Sequence, residues 1–192
     1  GDLSIAATIE FNAGTIHVNT GNVIFFSPAA THTFTNGVIN INVSYKLDLS
    51  RSNCAVIYNI SGTTFAGMGR LEVSSTAIAN FETGTAINLS GAIGASLGGI
   101  ANIKTGVTVA NTPKLIMNGG TINDDIGINA GEVTLENSGT FGGAGSPTFS
   151  NGFMWKSGTF SGSGKVTVSG TITGTTNSTH AIGGSKELHI SG

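Results

Sequence analysis

Apolar and polar residues alternate along this chain in short bursts. Thr15-Ile16-His17-Val18, Val38-Ile39-Asn40-Ile41-Asn42-Val43, Lys46-Leu47-Asp48-Leu49 and Arg70-Leu71-Glu72-Val73 are the first clear ones. Gly106-Val107-Thr108-Val109, Glu132-Val133-Thr134-Leu135, Lys165-Val166-Thr167-Val168 and Glu187-Leu188-His189-Ile190 continue the pattern. A period of two gives one wet face and one buried face, so each burst predicts a strand of about four to six residues. Asn36-Gly37, Asn118-Gly119, Ser138-Gly139 and Asn151-Gly152 punctuate the bursts as turns. No long window carries a helical apolar period free of glycine. The chain is predicted to be all-β.

The bursts repeat. Thr64-Phe65-Ala66-Gly67-Met68-Gly69 and the Arg70–Ser74 strand match Thr159-Phe160-Ser161-Gly162-Ser163-Gly164 and Lys165–Ser169. Thr140-Phe141-Gly142-Gly143-Ala144-Gly145, followed by Ser146–Ser150, is a third copy, and Asn80-Phe81-Glu82-Thr83-Gly84-Thr85 is a degenerate one. Phe65, Phe141 and Phe160 are separated by 76 and 19 residues, and both fit a loose period near 19. Several short strands in such a period suit one coil of a parallel β-helix, or β-solenoid, with insertions at its turns. At ~4.8 Å per coil the chain would make about ten coils and a rod roughly 50 Å long. Phe65, Val73, Phe141, Phe149, Phe160 and Val168 are the predicted inward columns. Outward Asn and Thr at equivalent positions are predicted to form hydrogen-bonded ladders. The alternative fold is a β-sandwich with glycine-rich loops. Residues 1–192 read as one domain, with the repeats clearest in 60–192.

The stretch Phe160-Ser161-Gly162-Ser163-Gly164-Lys165-Val166-Thr167-Val168-Ser169-Gly170, followed by Thr171-Ile172-Thr173-Gly174, resembles the glycine-rich repeats of bacterial autotransporter passengers. It is also similar to the short-period repeats of filamentous-haemagglutinin-type surface adhesins. The resemblance covers about residues 60–192. It implies a secreted or surface-displayed parallel β-helix, with any membrane anchor lying elsewhere.

Composition narrows the function. Ser, Thr and Asn number 20, 25 and 18, a third of the 192 residues, and glycine adds 30. Only 9% of residues are charged and the net charge is -2, so no basic footprint for nucleic acid exists. With 39% hydrophobic residues, the chain is too apolar for charged disorder. No apolar run approaches the ~18 residues of a membrane helix. The single Cys54 excludes an internal disulfide and a cysteine zinc site. The chain opens at Gly1 without Met, which suggests a processed chain or an excised fragment.

Motifs that carry chemistry elsewhere fall short here. Gly94-Ala95-Ser96-Leu97-Gly98 matches a nucleophile elbow, with Asp124 or Asp125 and then His180 or His189 in hydrolase order. That motif needs a strand–turn–helix setting, which an all-β chain lacks, so a glycine-rich turn is expected. Asp124 and Asp125 are the one adjacent carboxylate pair, but neighbours on a strand point to opposite faces and Asp favours turns. His17, His32, His180 and His189 show no metal-ligand spacing, and His17 and His189 read as outward strand residues. Gly162-Ser163-Gly164-Lys165 lacks the rest of a phosphate loop. Thr31/Thr33, Thr83/Thr85, Thr171/Thr173 and Thr173/Thr175 are too irregular for an ordered-water face. The Asn-x-Ser/Thr triplets at Asn42, Asn59, Asn88 and Asn177 occur at the level this composition gives by chance. Trp155 sits in the apolar Phe153-Met154-Trp155 run and is expected in the core.

The expectation is therefore an extracellular or cell-surface structural solenoid, non-enzymatic and without a cofactor, used for display, adhesion or end-to-end assembly into filaments. Its partners would be further copies of itself, by head-to-tail stacking or strand donation, or a host or matrix glycan or protein. The predicted assembly edges are Leu3, Ile5 and Ile9 at one end and Leu188 and Ile190 at the other. The alternative function is a glycan-binding or polysaccharide-cleaving β-helix.

Overall fold

A computed structural model describes residues 1–27, 31–51, 56–175 and 178–191. Pro28, Cys54 and the triplet begun by Asn177 lie outside the described residues. No helix occurs among the described residues, and every strand pair given below is parallel. The chain winds into a β-solenoid of about eight turns. A β-sandwich, built on antiparallel pairing, does not form.

An eleven-stranded sheet runs the length of the solenoid, from Leu3–Ile5 through Val23–Ser27, Lys46–Arg51, Arg70–Val73, Ala92–Ser96 and Lys114–Asn118 to Asn129–Glu136, Thr148–Trp155, Lys165–Val168 and Glu187–Ile190. Ile172–Gly174 joins it alongside Thr148–Trp155. A nine-stranded second sheet includes Thr31–Thr35, Ile57–Ser61, Ile78–Phe81, Ile100–Ile103, Thr121–Asp124, Thr140–Gly142, Gly158–Phe160 and His180–Ile182. The third sheet has five strands, from Gly14–Val18 to Thr108–Val109, and ends there.

The loss of that third face sets the period. While three sheets surround the core, Val23 pairs with Leu47 and Leu47 with Leu71, steps of 24 residues. Leu71 pairs with Ile93 and Ile93 with Leu115, steps of 22. Past Thr108–Val109 the coil needs only two faces. Leu115 then pairs with Val133 after 18 residues, and Phe141 with Phe160 after 19. The 19-residue spacing belongs to these two-faced coils. The longer early coils are why about eight turns replace the ten expected, and the rod is ~40 Å long at ~4.8 Å per coil.

Phe65, Val73, Phe141, Phe149, Phe160 and Val168 are all buried, but they do not form one set of equivalent columns. Phe65 lies on the third sheet beside Ile39 and Ile87. Phe141 and Phe160 are stacked on the second sheet, whereas Val73, Phe149 and Val168 lie on the long sheet. The Thr-Phe-x-Gly-x-Gly motif codes for a corner, namely the last strand before the chain turns onto the long sheet. That strand belongs to the third sheet at Phe65 and, once the third sheet has ended, to the second sheet at Phe141 and Phe160. Gly67, Gly143 and Gly162 occupy this corner with φ of 110°, 95° and 87°. A Cβ on each would collide with a backbone carbonyl of the preceding coil, of Ile41, Asp124 and Gly143 respectively. Glycine is required there by both torsion and space.

The buried apolar residues form one continuous cluster. Its middle is aliphatic, with Leu71, Ile87, Ile93 and Ile103, and aromatic groups lie towards each end. Phe25, Phe34 and Tyr58 pack together at one end; Phe141, Phe149, Phe153 and Phe160 do so at the other, with centroids 5.3–6.5 Å apart. Trp155 is only half-buried. Its ring lies 5.2 Å from that of Phe160, and its Nε1 donates to the Gly158 carbonyl at 3.3 Å.

Candidate functional site

The outward positions of the long sheet form three rows. One row carries Lys46, Arg70, Ala92 and Lys114 in register. The next carries Ile24, Asp48, Glu72, Gly94, Ile116, Thr134 and Met154. In the third, Ser50 follows Phe26, and Ser96 is succeeded by Asn118 and Glu136. Alternation along Lys46–Arg51 sends Leu47 and Leu49 inward and leaves Lys46, Asp48 and Ser50 outward.

Asp48 and Glu72 occupy neighbouring coils and are both buried although they face outward. Asp48 accepts from Lys46 Nζ at 2.9 Å and from Ser74 Oγ at 2.6 Å. Glu72 Oε2 faces Arg70 Nε as an ion pair, although the two are not aligned as a hydrogen bond. The Glu72 carboxylate lies over Gly94, where a Cβ would displace it. Lys114 pairs with Glu132 at 3.1 Å. Depressions follow these rows along the solenoid, the first two meeting at Lys46 and the second and third at Lys114.

The second sheet carries a different surface. Asn59, Asn80, Asn102 and Asn123 stack in register. Each amide donates to the carbonyl oxygen of the Asn on the preceding coil, at 3.1, 2.9 and 2.8 Å. This is the predicted ladder. Lys104 and Glu82 pair at 2.6 Å next to it.

At the corner leading back to the long sheet lie Asp124 and Lys186, both buried. Asp124 accepts from the backbone N–H groups of Ile126, Gly127 and Ile128 at 2.9–3.0 Å. Burial pushes its carboxyl above the usual carboxylate range, against the pull of those donors. Lys186 Nζ donates to the carbonyls of Ser163, Gly143 and Gly145 at 2.6, 3.0 and 3.1 Å, and sits 5.7 Å from the Phe141 ring centroid. Its burial lowers the ammonium pKa, which Asp124 and Asp125 partly restore. The pattern of the chain gave no sign of Lys186 as a buried cation, because its role depends on coils folded one and two turns earlier.

The hydrolase-like residues do not converge. Ser96 ends a long-sheet strand on the outward side, while Asp124 is turned inward and held by its own loop. Asp125 is exposed on the opposite side, and its carboxylate accepts from the Ala144 N–H at 3.0 Å. His180 Nε2 contacts the Trp155 carbonyl at 2.8 Å, and His189 lies exposed beside Glu187. His17 is exposed, as its alternation indicates. Thr31 and Thr33 face outward on the second sheet, Thr85 is buried, and Thr171 and Thr173 flank the long sheet, so the Thr pairs share no face.

His32 is the exception among the histidines, being wholly buried. Its ring stacks on Tyr58 at 4.6 Å, and its Nδ1 accepts from the Ile9 N–H at 3.0 Å. Burial lowers its pKa, so the neutral ring is favoured. The signal was local: in Thr31-His32-Thr33-Phe34-Thr35, His32 shares the face of Phe34. Among the described residues no group of three or more His, Cys, Asp or Glu could hold a metal ion. The predicted edge residues lie in outermost strands or beside them; Leu3 and Ile190 are exposed, and Ile5, Ile9 and Leu188 are half-buried. No family model, curated protein or solved structure matches the chain.

Proposed function

We propose that the chain is an extracellular structural module, a non-enzymatic β-solenoid that displays its faces at a surface and continues its stack end to end. The observation that carries this reading is the unbroken parallel register of the long sheet, from Leu3–Ile5 to Glu187–Ile190, over one continuous core. Each outermost strand offers a row of backbone groups that another parallel strand satisfies without any new fold. Exposed Leu3 on one side and Ile182 and Ile190 on the other supply apolar contacts for such a step. Because the two end surfaces differ, joining one to the other is a heterologous contact that does not close, and it yields filaments. The resemblance of residues 60–192 to surface-adhesin repeats accords with this use.

Light scattering and negative-stain electron microscopy of the purified chain test the reading. Filaments of uniform width with an axial repeat of ~40 Å are expected, one subunit being about eight coils of ~4.8 Å. The double substitution Leu3→Lys and Ile190→Lys, which places charge on both end surfaces, is expected to return monomers. Monodisperse monomers of the unsubstituted chain at every concentration would overturn end-to-end assembly.

A further inference from the structure

Along the outward middle row of the long sheet, Ile24, Gly94, Ile116, Thr134 and Met154 are apolar or neutral. A repeating scaffold asks for nothing else at that position. Asp48 and Glu72 break the row on two successive coils, although burying a carboxylate costs free energy unless it is paired. Ser74 and Lys46 hold Asp48 in one orientation, and an ionised carboxylate so bound retains further lone pairs.

Asp48 lines a cavity of about 340 Å3 on this face, together with Ser50, Ser74, Ser96, Phe26 and Leu97. That volume is in the range of small-ligand sites. Ser50 is only 5% exposed, and its hydroxyl has no partner among the described residues. Phe26, in register with Ser50, is 40% exposed, which leaves its ring open beside the serines and the carboxylate. Leu97 forms an exposed apolar wall. A carboxylate acceptor, free hydroxyls and an open aromatic ring match a ligand with vicinal hydroxyls on its rim and C–H groups on its faces. The Lys46–Asp48 and Arg70–Glu72 pairs cancel their own charges, so an uncharged ligand suits the cavity better than an acidic one. Beyond Lys46 the cavity opens into the second depression, of about 510 Å3, which leaves room for a chain of units.

We propose that this furrow on the long sheet binds a neutral glycan chain, with one sugar unit seated against Asp48, Ser50 and Phe26. The site does not depend on end-to-end assembly.

The test is a titration of the isotope-labelled full chain, followed by amide chemical shifts. The probes are cellotetraose, mannotetraose and chitotetraose, with tetragalacturonate as the acidic comparison. At least one neutral tetramer is expected to shift the amides of Ser50, Ser74 and Leu97 while those of Asn80 and Asn102 stay in place. Phe26→Ala removes an exposed ring and leaves the core intact; it is expected to weaken binding on the order of tenfold. Asp48→Asn is expected to weaken it by a similar factor or more, on the order of tenfold. The proposal is overturned if no neutral tetramer moves those amides, if only tetragalacturonate does, if the shifts map to another face, or if Phe26→Ala binds like the unsubstituted chain. Filament formation is read separately by light scattering, so either result is interpretable without the other.

Discussion

His32 places an ionisable ring where no charge is welcome. It lies flat against Tyr58, and its one hydrogen bond, from the Ile9 N–H, requires Nδ1 to be unprotonated. The folded chain therefore holds its pKa below the ordinary 6.5. Below that ordinary value the unfolded chain takes up a proton that the folded chain resists, so stability falls with pH. The contribution is full above about pH 6.5 and is lost as pH drops towards the folded pKa. Acidification from neutral pH is expected to lower the melting temperature of the native chain more than that of His32→Phe, which keeps the stacked ring without the titration. Equal shifts in the two proteins would show that His32 remains neutral in both states. Tyr58 completes the arrangement. Its hydroxyl lies 2.6 Å from the Ser50 carbonyl and 2.8 Å from that of Phe25, and burial pushes its pKa upward.

Strands here are stabilised by their neighbours rather than by their own length. The Thr121–Asp124 strand has four residues, too few to persist alone, but it pairs on both sides and carries one rung of the Asn ladder. Asn102 sits mid-ladder, donating to Asn80 and accepting from Asn123. Asn102→Ala removes both bonds at a half-buried position and is expected to cost about 1–2 kcal/mol in urea unfolding. Asn151→Ala, on an exposed position of the long sheet, is expected to stay within about 0.5 kcal/mol. A cost for Asn102→Ala no larger than that would mean that water replaces the ladder without loss. The corner motif shows the other side of element-level coding. Gly67, Gly143 and Gly162 fix the same turn, and the identity of the preceding sheet follows from how many faces that coil has.

Across the whole molecule, each coil touches mainly the coils before and after it, so stability is distributed along the stack. Hydrogen exchange is expected to be slowest at Leu71, Ile93 and Leu115, which are buried and paired on both sides, and fastest in Leu3–Ile5 and Glu187–Ile190. Uniform protection from one end to the other would point instead to a single cooperative unit. The sequence by itself determined the all-β class, the strands, the glycine corners and the inward aromatics. These depend on two-residue alternation and on torsions that only glycine tolerates easily, both of which are local. It also separated Asp124 from Asp125, since neighbours on a strand point apart. Tertiary structure decided the rest. Phe65 and Phe141 share a motif but not a column, because the third sheet ends between them. Lys186 is buried because carbonyls of two earlier turns converge on it. Asp48, Ser74 and Phe26 border one furrow although 26 residues separate the Asp48–Ser74 pair. Register between coils brings such residues together, and register depends on the length of every intervening turn, which alternation along a single strand does not encode.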